Sequence, residues 1–307
     1  MTAIAFSLDM VAPDDWPALA PFLFERNRAD GDVRCLHSNA GLDAGAYDEE
    51  LRSLVPGDAL YVVARRDGRL IGAAGAEIDT TLGRSWLRGP FVAAGEDFAS
   101  VAAPLLSALT RAMPPEIVRH DAFVQSECAE ALAFYAAQGY ADAGRHAEFL
   151  LKGPPTAAAT APPDGVALMP PQPGWRLPIG ALHDSEFPTG YVTTDELFDP
   201  EQAQDAERFT RIALLDGQPV GYVHAHFDAQ WHEGYIDYLA VAPYARGRGV
   251  GQALLNGAAA WSFGPRAARA ITLTVDEKRA AARALYQGAG FMHVRTGVDM
   301  RWPAPST

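Results

Sequence analysis

The sequence predicts an α/β (α+β) protein built as two tandem copies of one domain, each a mixed, mostly antiparallel sheet flanked by helices. Three observations predict it. Short apolar runs alternate with amphipathic stretches, as when helices pack on a sheet. A stretch rich in proline and alanine divides the chain near its middle. Features on one side of that divide recur on the other at a near-constant spacing. The 307 residues are 49% hydrophobic and 21% charged, which supplies apolar material for two cores.

The divide runs from Gly153-Pro154-Pro155 to Pro162-Pro163-Asp164-Gly165. Paired prolines stop helix and strand alike, and the alanines between them offer little to bury. It separates a first domain, 1–152, from a linker, 153–165, and a second domain, 166–307. In the first half, Tyr61-Val62-Val63, Asp67-Gly68 and Leu70-Ile71-Gly72 read as a hairpin within 59–78. Asp-Gly between apolar runs is the turn signal, because both residues of that turn need positive φ. Ile212 to Leu215, Asp216-Gly217 and Val220-Gly221-Tyr222 repeat it, displaced by 149 residues. Tyr135 with Gly139-Tyr140 matches Tyr286 with Gly290-Phe291, displaced by 151. Each copy therefore reads as a helical opening, a hairpin, a third strand, a helix, a strand, a helix and a last strand. In the second copy these are hairpin 211–227, strand 234–241, helix 249–262, strand 270–275, helix 279–288 and strand 291–302.

Composition narrows the function classes. The formal charge of −13, with no lysine or arginine run to offset it, repels nucleic acid phosphates. An acidic surface suits a cationic substrate such as an amine, and equally serves solubility alone. Cys35 and Cys128 have no metal-ligand spacing and imply no disulfide framework. His224 and His226 share a strand face, but no third ligand stands at a suitable spacing, so packing or acceptor contact is the expectation and a metal is not. The N-terminus lacks a basic region followed by an apolar run, and no segment approaches the roughly 20 apolar residues of a membrane span, so a cytoplasmic protein with no membrane partner is expected.

The sharpest feature begins at Tyr235-Ile236-Asp237-Tyr238-Leu239-Ala240-Val241 and continues to Arg246-Gly247-Arg248-Gly249-Val250-Gly251. A strand enters a glycine-rich turn and a helix follows, with Val250, Leu254, Ala258 and Trp261 on one face. Glycines let backbone N–H groups approach a ligand, and a helix N-terminus adds partial positive charge, which suits a pyrophosphate. Between Tyr244 and Ala270 the chain carries four arginines and no acidic residue, which points to a polyanion. The P-loop and dinucleotide patterns both fail on spacing.

This pattern resembles the acetyl-CoA signature of the GNAT acyltransferase superfamily, [Q/R]-x-x-G-x-[G/A], as Arg246-x-x-Gly249-x-Gly251 after the strand ending Leu239-Ala240-Val241. A second signature of that family is nearly present as Ala282-x-x-Leu285-Tyr286 with Gly290-Phe291, although Arg279 stands where an asparagine often opens the helix. The resemblance covers about residues 165–302. It implies tandem GNAT-like domains and an acetyl-CoA-dependent N-acetyltransferase. It places the acyl donor between strands 235–241 and 270–275, held by Leu239, Ala240, Val241, Arg246, Gly247, Arg248, Gly249, Val250, Gly251, Gln252, Arg279 and Tyr286. Backbone N–H groups near Leu239 and Val241 would steady the thioester oxygen.

An amine then attacks directly. Tyr286 is the candidate general acid for the departing thiolate, the alternative being a packing tyrosine. Asp237, on the strand face of Leu239 and Val241 by two-residue alternation, or Glu233 is the candidate base. The loop Asp184 to Tyr191 mixes acids and aromatics, which can border an acceptor or be plain surface.

In the first half the offset of 149 sets Asp97, Phe98 and Ser100 against Arg246, Gly247 and Gly249, with Glu96 beside them. A carboxylate there repels a diphosphate, so this copy is expected to keep the fold and lose the donor. The expected acceptor is a small-molecule amine or a protein N-terminal amine, and the expected state a monomer (a pseudo-dimer in one chain) or a homodimer. The reading from another class is a non-catalytic acyl-CoA-binding or sensing module.

Overall fold

The computed structural model describes residues 6–28, 44–154, 162–188, 190–199, 207–229 and 231–302. Cys35, the middle of the linker and Thr189 lie outside the described residues. The chain forms two compact units, Met1–His146 with Thr296–Thr307, and Ala147–Arg295.

The first unit opens with β1 (Ser7–Met10), a 3-10 turn (Pro13–Leu19), α1 (Ala20–Arg28) and α2 (Ala44–Ser53). β2 (Ala59–Arg66), β3 (Arg69–Asp79), β4 (Arg84–Val92), α3 (Phe98–Ala112), β5 (Arg119–Gln125), α4 (Ala129–Ala137) and β6 (Ala141–Leu151) follow. The second half gives β7 (Val166–Met169), α5 (Arg176–Glu186), α6 (Thr194–Leu197), β8 (Arg208–Leu215) and β9 (Gln218–Asp228). It closes with β10 (Glu233–Val241), α7 (Val250–Phe263), β11 (Ala270–Asp276), α8 (Ala280–Gly288) and β12 (Met292–Trp302). Every strand and helix expected for the second copy is present, with ends shifted by a few residues at most.

The repeat holds at the level of single turns. Asp67 and Gly68 have φ of 51° and 77°, and Asp216 and Gly217 have 52° and 80°, the two left-handed residues that each hairpin turn needs. Both hairpins slip register at equivalent places, between Ala64 and Arg65 and between Ala213 and Leu214. In each unit one strand pair is parallel, β4 with β5 and β10 with β11, and the other registered pairs are antiparallel.

Neither compact unit coincides with the halves bounded by the linker. The sheet of the first unit ends on residues 297–302 of β12, which run antiparallel to β5 from Gly297 opposite Gln125 to Trp302 opposite His120. The second unit takes in Ala147–Leu151, the end of β6, and its strand order continues β11-β10-β9-β8-β7. Backbone pairing follows register and side-chain parity, not chain continuity, so each copy's last strand need not stay with that copy.

In the second unit α7 lies on one sheet face, where Val250, Leu254 and Ala258 are buried with Val223, Ala225, Ile236 and Ile271. Burying a side chain such as Leu254 contributes about 1.5–3 kcal/mol over leaving it exposed. The opposite face carries a second cluster, Ile179, Val192 and Leu197 against Ile212, Tyr222, Tyr238 and Ala240. The glycine loop thus springs from a strand clamped on both sides.

Candidate active site

β10 and β11 pair over four rungs only, from Glu233 opposite Ala270 to Ile236 opposite Leu273. Both strands run on past the last rung, β10 to Val241 and β11 to Asp276, without pairing further. On its other edge β10 stays paired with β9 as far as Val241 opposite Gly221. The Ala242 amide donates to Val220 at 2.8 Å. Alternation then directs Ala240 to β9 and turns the backbone groups of Leu239 and Val241 toward the cleft. Ala240, expected among the donor contacts, therefore faces away from the cleft, its side chain buried under α5 and α6.

The loop from Ala242 to Gly249 ends in a bare helix start. Gly247 and Gly249 have φ of 74° and 77°, a conformation strained for any residue with a Cβ, and Gly249 is the N-cap of α7 without a side chain to cap it. Among the described residues no group accepts from the backbone N–H of 247–252, although Ala253 N–H reaches Gly249 O at 3.0 Å. Six successive free donors at a helix N-terminus form an anion cradle. Gly251 lets α8 come close: a Cβ there would lie 3.1 Å from the Leu285 side chain. The Gln252 side chain reaches Asn256 one turn on, at 2.9 Å, and Val250 is buried in the core.

Arginines flank the cradle. Arg246 fixes itself to the loop through Nε to Val241 O at 2.9 Å. Its Nη2 meets Glu186 Oε1 at 2.6 Å, while Arg279 Nη1 meets Glu186 Oε2 at 2.9 Å and Arg279 Nη2 meets Glu186 O at 2.9 Å. Arg279 also lies over the Phe187 ring, 5.5 Å from its centre. One carboxylate at the end of α5 thus bridges the two guanidinium groups expected to meet the donor. The acids of 184–191 were expected at the surface or around an acceptor, and for Glu186 the geometry is different. Arg248 sits 3.7 Å from Asp216.

Tyr286 projects from α8 into the core of this unit, its ring 5.9 Å from Phe149 and 6.0 Å from Phe291. Burial pushes its pKa up to about 12, against a lowering pull from Arg279, so the phenol stays protonated at neutral pH. Among the described residues its hydroxyl has no hydrogen-bond partner.

The register slip of β10 between Ile236 and Tyr238 decides where the acids point. One extra residue reverses parity along the strand. Ile236, Leu239 and Val241 pack on the α7 side, while Asp237 joins Tyr238 on the α5–α6 side. The alternation that set Asp237 beside Leu239 and Val241 is corrected here by that bulge. The Asp237 side chain is 2% exposed, and His226 Nδ1 contacts both its oxygens at 2.9 and 3.0 Å. The Tyr191 hydroxyl donates to it as well. Tyr191 is tied in place by its N–H to the Tyr238 hydroxyl at 2.8 Å. Glu233 lies at the strand's start, 4.0 Å from Arg269, its pKa raised by burial despite that arginine.

His224 and His226 do share a face, and they differ. His224 is buried against the Thr210 hydroxyl at 2.7 Å, and burial pushes its pKa down to about 4. The His226 side chain is 41% exposed. Among the described residues no group of three His, Cys, Asp or Glu is arranged to hold a metal, and no helix is long and apolar enough to cross a membrane.

Residues 179–291, which hold the cleft, the cradle and Tyr286, match the Acetyltransferase (GNAT) family. That stretch is similar to a GNAT acetyltransferase domain. Among curated proteins, a mycothiol acetyltransferase of Stackebrandtia nassauensis is 34% identical over 134 residues, 42% of this chain and 38% of that one. An uncharacterised N-acetyltransferase of Methanocaldococcus jannaschii is 35% identical over 80 residues, 26% of this chain and 50% of that one. The matched stretches thus span half or less of those relatives.

Solved GNAT structures extend the likeness to the whole chain. A GCN5-related N-acetyltransferase of Sphaerobacter thermophilus superposes with a TM-score of 0.74 at 20% identity, covering 99% of this chain and 97% of that one. A tandem GNAT protein from the clavulanic acid biosynthesis pathway gives 0.65 at 16% identity, covering 98% and 100%. The fold is shared with both.

Proposed function

We propose that the protein is an N-acetyltransferase that moves an acetyl group from acetyl-CoA to a primary amine, with the chemistry in the second unit. One observation carries the reading. The amides of 247–252 are free among the described residues, Arg246 heads that loop and shares Glu186 with Arg279, and the strand that leads into the loop parts from β11 after Ile236. That donor set matches a diphosphate followed by an extended amide-bearing arm, and the Leu239 and Val241 amides lie where the thioester oxygen would gain charge. Ala240 and the Gln252 side chain play no part in it, and Gly251 serves close packing with α8.

The donor acts here as a substrate. The amine nitrogen bonds to the thioester carbonyl carbon, the C–S bond breaks, and the thiolate leaves with the Tyr286 proton. The acetylated nitrogen then loses its surplus proton through water, which restores the tyrosine. No enzyme nucleophile is required, and the residues contribute alignment, charge and proton transfer.

Tyr191 and His226 contact Asp237, and Tyr238 packs against Tyr191 and Phe187, which makes this acceptor side a setting for a cationic head on an organic body. A small-molecule amine fits this as well as a protein N-terminus does. We propose a cytoplasmic location and a chain that acts as a pseudo-dimer or as a homodimer of such chains. Titration calorimetry with CoA, then thiol release from acetyl-CoA across a panel of primary amines, tests the reading. Micromolar CoA binding with turnover on some amines is expected. Absence of CoA binding overturns the donor site, and tight binding with no turnover across the panel makes the protein a sensor.

A further inference from the structure

We infer that His226 is the base of the transfer and that Asp237, the candidate base on sequence, positions it instead. The inference rests on the proposed acetyltransferase reading.

The geometry separates the two roles. Asp237 lies sealed beneath His226 Nδ1 and the Tyr191 hydroxyl, so its carboxylate is not offered to an incoming ammonium. A carboxylate accepts only, which fixes the proton on Nδ1 and leaves the lone pair on Nε2. Nε2 has no partner among the described residues and belongs to a half-exposed side chain. His226 stands opposite Tyr235, next to the last paired rung before β10 and β11 part, with ring centres 5.5 Å apart. Tyr235 contacts the Thr274 side chain, beyond the last rung, and bears electrostatically on Tyr286. His226 thus meets Tyr235 directly, and Tyr235 lies within electrostatic reach of Tyr286.

The groups that face His226 set its proton affinity. Burial pulls its pKa down, and the hydrogen bond and charge of Asp237 more than restore it, leaving it above the ordinary histidine value. Arg208 on β8 and His224 on its own strand oppose protonation, and Asp228 favours it. Tyr235 and Tyr191 contribute neutral phenols, since burial foremost raises both. Glu233, the other acid on β10, sits against Arg269 instead.

In the step itself, Nε2 takes a proton from the substrate ammonium and frees the nitrogen lone pair. The C–N bond forms as the C–S bond breaks, Tyr286 protonates the thiolate and regains a proton through water from the acetylated nitrogen, and the His226 proton passes to bulk water. A more basic Nε2 is the better acceptor, but it must be neutral to act, so kcat/KM should rise with pH through the His226 pKa.

The test compares wild type, His226→Gln and Asp237→Asn on 2-phenylethylamine, on trifluoroethylamine and on the wider amine panel. Trifluoroethylamine is largely neutral at neutral pH and needs no base to expose its lone pair. His226→Gln should keep wild-type CoA affinity by calorimetry and lose roughly 100-fold or more in kcat on basic amines. Its loss on trifluoroethylamine should be far smaller. Asp237→Asn should move the acidic limb of the kcat/KM profile to lower pH, a shift that a purely structural role would not produce. Equal losses on both amines, or an unmoved limb, overturn the inference while leaving the donor site intact. CoA binding without wild-type turnover on any amine overturns the parent reading, and this one with it.

Discussion

The starts of α3 and α7 occupy corresponding places in the two units, and they differ in how the first turn of the helix is capped. At α7 the N-cap is a left-handed glycine and the first amides are unclaimed. At α3 the N-cap is Asp97, whose carboxylate accepts from Ser100 N–H at 2.9 Å. Asp97 therefore spends its charge on its own helix, and Glu96 beside it grips Arg66 at 2.7 Å. The connecting loop is also shorter, 93–97 against 242–249. A cavity of about 90 Å³ remains there, with Glu96 and Glu130 in its wall, where pockets for whole ligands begin near roughly 300 Å³.

The two helix tyrosines diverge in the same direction. Tyr135 is fully buried and donates its hydroxyl to Gly89 O, so it is a structural residue. At the first unit's counterpart of Asp237 stands Arg88, buried and paired with Glu50 at 3.0 Å and with Glu77. In one unit the Asp97 and Glu96 carboxylates and the Tyr135 hydroxyl are satisfied internally. In the other the amides of 247–252, the Tyr286 hydroxyl and His226 Nε2 are left for something else to satisfy.

The largest effect is expected at the cradle. Gly249→Glu should weaken CoA binding by roughly 1,000-fold, since burying a carboxylate against a diphosphate costs several kcal/mol. A Cβ there also lies 2.6 Å from Pro163. Gly247→Glu, where a Cβ meets nothing within 4 Å, repeats the test without crowding. Unchanged affinity by calorimetry in both would erase the distinction between the units.

Next comes the tyrosine pair. Tyr286→Phe should lower kcat roughly 10- to 100-fold with CoA affinity unchanged, because one proton donor is lost and little else. Tyr135→Phe should leave kcat alone and cost about 1–3 kcal/mol in chemical denaturation, for the carbonyl left unpaired. The reverse outcome would exchange their assigned roles.

A smaller effect is expected from Glu186→Gln. Removing the charge that bridges Arg246 and Arg279 should tighten CoA binding roughly 3- to 10-fold, the usual scale for one partly exposed ion pair. Weaker binding would mean that Glu186 orients the arginines for the donor. Asp97→Ala should be the mildest, lowering the thermal midpoint by roughly a degree or two through loss of a helix cap and leaving CoA affinity untouched.

Much of this was legible in the sequence, and what was not has identifiable causes. The Asp-Gly turns and the Arg246–Gly251 loop could be read because positive φ leaves a mark on residue choice. The offset of 149 held along the strands and failed at the helix starts. It matched Asp97 to Arg246, whereas the structure makes Asp97 the counterpart of Gly249, because the earlier loop has lost residues. The bulge at Asp237 left no compositional trace, yet it moved that carboxylate to the other face of the sheet. The partnership of Glu186 with Arg246 and Arg279 joins residues 60 and 93 positions apart, beyond the reach of any local pattern.

The crossing of final strands constrains how this molecule can be divided. Cleavage within 155–161 would sever one peptide link and leave each piece holding a ribbon that completes the other's sheet. Nicked protein should therefore stay associated and active, whereas either fragment made alone should expose an unmatched sheet edge and aggregate. Each unit thus depends for its last strand on a stretch of chain that lies across the linker from the rest of it.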